Sequence, residues 1–105
     1  MSQKILEEDL ETLFTDLLEE KDIFNVKGIS RGLKGFPDRM VFSDNVYFVE
    51  LKVGKEGGSY YKQTKMQFRW QCTINGSNGY YVLLVGEQAI RDFVAKIPTV
   101  KRYIF

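Results

Sequence analysis

Residues 46–53, Val-Tyr-Phe-Val-Glu-Leu-Lys-Val, are a near-continuous apolar run of strand length, interrupted only by Glu50 and Lys52. A run of this kind suits the interior of a sheet covered on both faces. Strand side chains alternate, so Glu50 and Lys52 share one face about 7 Å apart, while Val49, Leu51 and Val53 point to the other. The charges therefore sit where burial makes an unpaired charge expensive.

Upstream, Asp38 to Phe42 is a second β-rich segment, separated from Val46 by Ser43, Asp44 and Asn45. A three-residue hairpin loop sets Phe42 opposite Val46, Met40 opposite Phe48 and Asp38 opposite Glu50. Asn45 then takes the left-handed position such loops need. A two-residue loop would face Asp38 with Leu51 and mix polar with apolar residues on both faces, so the first register is expected. It places two carboxylates across a ladder, with Cβ atoms roughly 5 Å apart, where like charges repel. Pro37 marks the start of that strand, because it cannot donate a ladder hydrogen bond. Two carboxylates and a backbone carbonyl make a hard oxygen site suited to Mg²⁺ or Mn²⁺. Lys52 would position a water or stabilise charge on phosphate. On periodicity alone, the same residues also read as an ion-paired hairpin in which Lys52 neutralises Glu50.

The chain has 105 residues and no histidine. This removes Ser-His and Cys-His nucleophiles, histidine zinc sites and imidazole bases, leaving carboxylates, lysine or an oxygen-bound metal for any catalysis. The single cysteine, Cys72, forms no intrachain disulfide, which suits a cytoplasmic setting. Residues 1–105 read as one soluble domain with no signal peptide and no apolar run of membrane-spanning length.

The net charge is only +1, but seven acids stand against Lys4 in residues 1–20, and nine basic residues face four acids between Lys27 and Arg69. That asymmetry suits a polyanion-binding face. Arg31, Lys34, Arg39, Lys55, Lys62 and Lys65 are candidate phosphate contacts. Tyr60 and Tyr61 are either base-stacking residues or loop anchors.

Leu6, Leu10, Leu13, Phe14, Leu17 and Leu18 predict an amphipathic helix over Gln3 to Glu20, with Ser2 as N-cap. A strand over Ile23 to Ile29 follows, then the hairpin. A second helix over Lys62 to Ile74 is ended by Asn-Gly-Ser-Asn-Gly. A strand buried on both faces is expected at Tyr80 to Val85, a helix at Glu87 to Lys96, and then an extended or helical tail. Trp70 is assigned to the core and Cys72 to no catalytic role. The order αβββαβα makes this an α/β or α+β sandwich.

Pro37-Asp38, followed after eleven residues by Glu50-Leu51-Lys52, resembles the PD-(D/E)xK nuclease signature. More narrowly, KGFPDRMVF, YFVELKVG and QFRW are similar to the VRR-NUC (virus-type replication-repair nuclease) family, over roughly Glu7 to Val85. The resemblance implies a restriction-endonuclease-like core, αβββαβ, with a mixed sheet flanked by helices. It implies a metal-dependent DNA endonuclease in which Asp38, Glu50 and the Leu51 carbonyl bind Mg²⁺ or Mn²⁺ and Lys52 is the catalytic lysine. A first-helix glutamate near the metal is also implied, Glu11 by its distance to Pro-Asp, with Glu7, four residues earlier on the same flank, second. Gln67 stands at the family's glutamine; it lies between Trp70 and Ile74 on the apolar face, with Gln63 one turn earlier as its rival. Lys27 stands where the family often has a basic residue. The resemblance further implies branched DNA, flaps or Holliday junctions, as substrate, a homodimer, and a replication, recombination or repair role in a bacterial cell or phage-infected host. The Gly57-Gly58 linker departs from the family pattern.

Overall fold

In the computed structural model the described residues are 6–28, 33–54 and 63–100. Seven elements follow in order: α1 (Glu7–Glu20), β1 (Phe24–Lys27), β2 (Arg39–Phe42), β3 (Val46–Lys52), α2 (Lys65–Gly76), β4 (Tyr80–Val85) and α3 (Glu87–Lys96). This is the predicted order, and the strands form one mixed sheet, β1-β2-β3-β4, antiparallel except for the parallel pair β3 and β4. The hairpin register is the predicted one, with Phe42 opposite Val46 and Met40 opposite Phe48.

Asn45, however, is not in the left-handed region; among non-glycine residues described, only Asp22 and Asn78 are. The loop is closed instead by Ser43 N–H donating to the Asn45 carbonyl (3.1 Å) and by the Tyr47 hydroxyl donating to Asp44 Oδ1 (2.8 Å).

Helix α1 starts at Glu7, with Leu6 extended before it and its N–H held by Asp9 Oδ2 (3.0 Å). The predicted cap Ser2 lies outside the described residues. At the other end Asp22 adopts φ +56°, Ile23 N–H reaches the Leu18 carbonyl and Asp22 N–H reaches that of Glu19. This is a Schellman ending, completed by burial of both Leu18 and Ile23. Helix α2 begins at Lys65 rather than Lys62 because Thr64 caps it, and it continues through Asn75 and Gly76.

Alternation sorts the sheet into two faces. Val41, Val49, Leu51 and Leu84 pack with Leu10, Phe14 and Leu18 of α1 and Ile90 and Val94 of α3 to form the main core. On the other face α2 covers Phe48, with Ile74 buried and Trp70 edge-on to Phe36 at 4.8 Å. Trp70 thus belongs to a satellite cluster rather than the main core, and its Nε1 donates to the Lys34 carbonyl (3.1 Å). β4 is an edge strand, and it is not buried on both faces as expected: of its residues only Leu84 is buried, and Tyr80 is 49% exposed.

The tail is anchored where α3 ends. Lys21 Nζ donates to the carbonyls of Val94 (2.7 Å), Ala95 (3.2 Å) and Ile97, serving acceptors that a helix C-terminus leaves unpaired. Thr99 Oγ1 returns a bond to the Lys21 carbonyl (2.7 Å). Lys21→Met should therefore destabilise the protein by about 1.5–3 kcal/mol, the usual worth of a charged hydrogen bond. A denaturant midpoint within error of wild type would rule out this clasp.

Candidate active site

The site is built where β2 stops and β3 continues. The last ladder pair is Arg39 with Val49. Continued one step beyond the ladder, the same register would set Asp38 level with Glu50 and, two steps beyond, Pro37 level with Leu51. The Asp38 carbonyl accepts from Gly28 N–H (2.8 Å), so its peptide faces β1. Gly28 is required there, since a Cβ would lie 2.0 Å from the Pro37 oxygen. The Asp38 side chain turns the other way, and its Oδ2 accepts Leu51 N–H at 2.8 Å.

The proline has a specific consequence. The Lys52 carbonyl accepts from Gly86 N–H (2.9 Å), so the peptide groups of Lys52 and, by alternation, Glu50 face β4. Those of Leu51 face β2, opposite Pro37, which has no N–H to offer. Alternation thus turns the Leu51 carbonyl toward the edge occupied by the Asp38 carboxylate, opposite a residue that cannot donate to it.

Glu50 is 2% exposed, the one buried charged residue among those described. Burial, then its hydrogen bond with Asp38 and the Asp38 charge, pushes its carboxyl up to about 9 against the opposing pull of Lys52. Without a cation Glu50 therefore keeps its proton at neutral pH. Glu7 is raised too, first by partial burial, then by Asp38 and by Glu11, while Lys52 lowers it. Glu7 therefore stands in the field of Asp38 and Lys52. Glu11 instead pairs with Arg39, Nη2 to Oε1 at 3.1 Å. Among the described residues no three carboxylate or thiol side chains are grouped as a metal cage; the acids at the centre are a pair, with Glu7 beyond.

Of the two candidate glutamines, Gln67 accepts Thr64 N–H with its Oε1 (2.9 Å), completing a capping box. Gln63 donates to Gln71 Oε1 (3.0 Å) and to the Tyr81 hydroxyl (3.2 Å). Both side chains are occupied within α2 and its neighbour β4. The inward position of Gln67 did demand a partner; that partner is the helix's own cap.

Lys27, Lys34 and Lys65 are exposed. Arg39 is only 19% exposed, is held by Glu11, and has a buried Nε with no hydrogen-bond partner, which removes it from the freely exposed cations. Arg31, Lys55, Lys62, Tyr60, Tyr61 and the Gly57-Gly58 linker lie outside the described residues. Two positions were under-read in the sequence. Glu7 was ranked behind Glu11, although both lie on one helix flank. Phe68 was overlooked, although Lys65, Phe68, Arg69 and Cys72 repeat at helical spacing opposite the inward stripe.

Fold and site together define an α/β domain with a mixed four-stranded sheet, helices on both faces and, at the end of its interior hairpin, a buried Glu50 beside the half-buried Asp38. A solved structure described as a "VRR_NUC domain" superposes on 86% of this chain and 95% of its own length, with TM-score 0.70 and 18% sequence identity. The chain has the VRR_NUC domain fold. The sequence matches no protein-family model. No curated protein matches it at a significant level either.

Proposed function

We propose that the chain is a VRR-NUC-type nuclease, a Mg²⁺- or Mn²⁺-dependent endonuclease that hydrolyses DNA phosphodiester bonds. The observation that carries this reading is Glu50: a carboxyl held almost wholly out of water, hydrogen-bonded to a second carboxylate that also accepts the Leu51 N–H. A purely structural strand has no reason to keep such a pair, and hard oxygen donors suit these ions. Asp38, Glu50 and the Leu51 carbonyl hold the ion, with Glu7 ahead of Glu11 as the first-helix contributor. When bound, it supplies Lewis-acid stabilisation of the charge that builds on the phosphate. Lys52, on the same strand face as Glu50, donates to a phosphate oxygen or orients the attacking water. Lys27, Lys34 and Lys65 hold flanking phosphates, which sets affinity and its salt dependence.

The finer reading is a structure-selective enzyme acting on Holliday junctions or flaps in replication, recombination or repair, in the cytoplasm of a bacterial cell or phage-infected host. A homodimer would present two symmetric sites to a junction. The exposed edge of β4, with Tyr80, is a surface for it; the Arg-Tyr-Ile-Phe tail, the other surface considered, lies outside the described residues. No helix among the described residues is long and apolar enough to cross a membrane.

Incubation with end-labelled junction, flap and linear duplexes tests the proposal. Cleavage is expected in Mn²⁺ and not in EDTA, with the branched substrates preferred, and Asp38→Asn should reduce it to background. Binding of these DNAs with no cleavage in either Mn²⁺ or Mg²⁺ would replace the nuclease by the alternative, a DNA-binding module on a nuclease-like fold.

A further inference from the structure

The two sides of α2 differ in kind. Gln67, Trp70, Gln71 and Ile74 form its inward stripe, whereas Lys65, Phe68, Arg69 and Cys72 repeat the same spacing on the outside and are all exposed. Phe68 is 55% exposed, more than any other large hydrophobic residue described. An isolated exposed apolar residue is ordinary. Here Phe68 and Met66 line, with Gln63, Thr64, Lys65 and Arg69, an open recess of about 700 Å³. The helix carries Lys65 and Arg69 and no acid along its whole length.

The recess lies at the active-site end of the molecule. β3 and β4 are parallel, so α2 must run back between them, and its first turn lies at the end where β3 finishes with Glu50, Leu51 and Lys52. The contacts agree: a Cβ on Gly35 would lie 2.7 Å from Met66 Cβ and from Gln67 N, and Trp70 is bonded to the Lys34 carbonyl. The segment that leads into Pro37 and Asp38 is therefore seated on the first turns of α2, and brings the exposed Lys34 with it.

We propose that this outer face of α2 receives an unpaired segment of a DNA strand, with Phe68 stacked on a base and Lys65 and Arg69 on the neighbouring phosphates. Every base has a π-face and every linkage a negative charge, so an aromatic ring between two cations matches a single strand and needs no particular sequence. A paired duplex hides its base faces and offers Phe68 nothing. A second copy of this chain is a poorer occupant, because a two-fold contact through the stripe would bring its cations against their own symmetry mates. The inference rests on the nuclease reading and deepens it, naming as substrate a DNA that carries a single-stranded segment beside the scissile bond.

Fluorescence anisotropy in EDTA, where nothing is cut, tests the face. Phe68→Ala should weaken binding of labelled oligothymidylate about tenfold, within the range that loss of one stacked base produces. A blunt duplex of equal length should lose less than about twofold, and Phe68→Trp should retain single-strand binding. Equal losses on both DNAs, or no loss on either, would overturn the proposal. So would a shift of Phe68→Ala from dimer to monomer in sedimentation with oligothymidylate binding unchanged. A wild type that binds the single strand through Phe68 yet cuts nothing would uphold this face and overturn the nuclease reading alone.

Discussion

Glu50→Gln is expected to raise the melting temperature of the metal-free protein at pH 8 and to remove most of its dependence on pH. The Glu50 carboxyl titrates near 9 in the folded chain, against 4.5 for an ordinary glutamate. Between those values the folded state holds a proton that the unfolded state has released. Stability contributed by this group is therefore fully present below the lower value and is lost as pH rises through the upper one. The slope is about 1.4 kcal/mol per pH unit. From pH 5.5 to 7.5 the wild type should thus lose a few kcal/mol, on the order of 10 °C in melting temperature for a domain of this size. The glutamine variant keeps a donor toward Asp38 and no charge, so its melting temperature should stay nearly level over that interval. Mn²⁺ should restore the wild type at pH 7.5 and leave Glu50→Gln nearly unmoved, because the ion takes over the role of the proton. Differential scanning calorimetry in EDTA and in Mn²⁺ reads all of this. A wild-type melting temperature that climbs with pH through the interval would show that the carboxyl is not held protonated.

Lys52→Ala should lower kcat on the preferred DNA by about 10²- to 10³-fold, the usual cost of removing one charge-stabilising donor. KM should stay within a few-fold, because the phosphate-gripping lysines elsewhere are untouched. The Mn²⁺-induced rise in melting temperature should survive, since Lys52 is not an oxygen donor. In the metal-free variant the pH-dependent loss should continue to higher pH than in the wild type, because Lys52 is the group that pulls Glu50 back toward its ionised form. This combination separates a lysine that acts on the reaction from one that merely pairs with Glu50. A variant that cuts at the wild-type rate would remove the assigned role and return Lys52 to an ion pair.

Much of the site is local in the chain, and that part was legible. Glu50 and Lys52 share a face because strand geometry repeats every two residues, and Asp38 comes level with Glu50 because only one loop length keeps both hairpin faces consistent. Pro37 reads as a missing donor at the start of β2, and strand alternation alone sets the Leu51 carbonyl toward it. Other features depend on contacts that periodicity does not rank. Glu7 and Glu11 are equivalent on a helical wheel, and only the crossing of α1 over the sheet puts Arg39 against Glu11 and leaves Glu7 toward Asp38. Gln67 reads as a polar group that wants a partner, and it finds one locally, in the N–H of Thr64 three residues before it. β4 reads from its apolar run as buried on both faces, but only Leu84 of it is buried.

By itself the amino-acid sequence determined the order of the seven elements, the hairpin register and the meeting of two carboxylates with a lysine one strand step away, because alternation and helical periodicity act between residues close in the chain. The tertiary structure alone decided how far Glu50 is removed from water and which first-helix glutamate faces the pair. Those outcomes depend on how helices lie across a twisted sheet, and the packing of a whole side chain against distant elements leaves no periodic trace in the sequence.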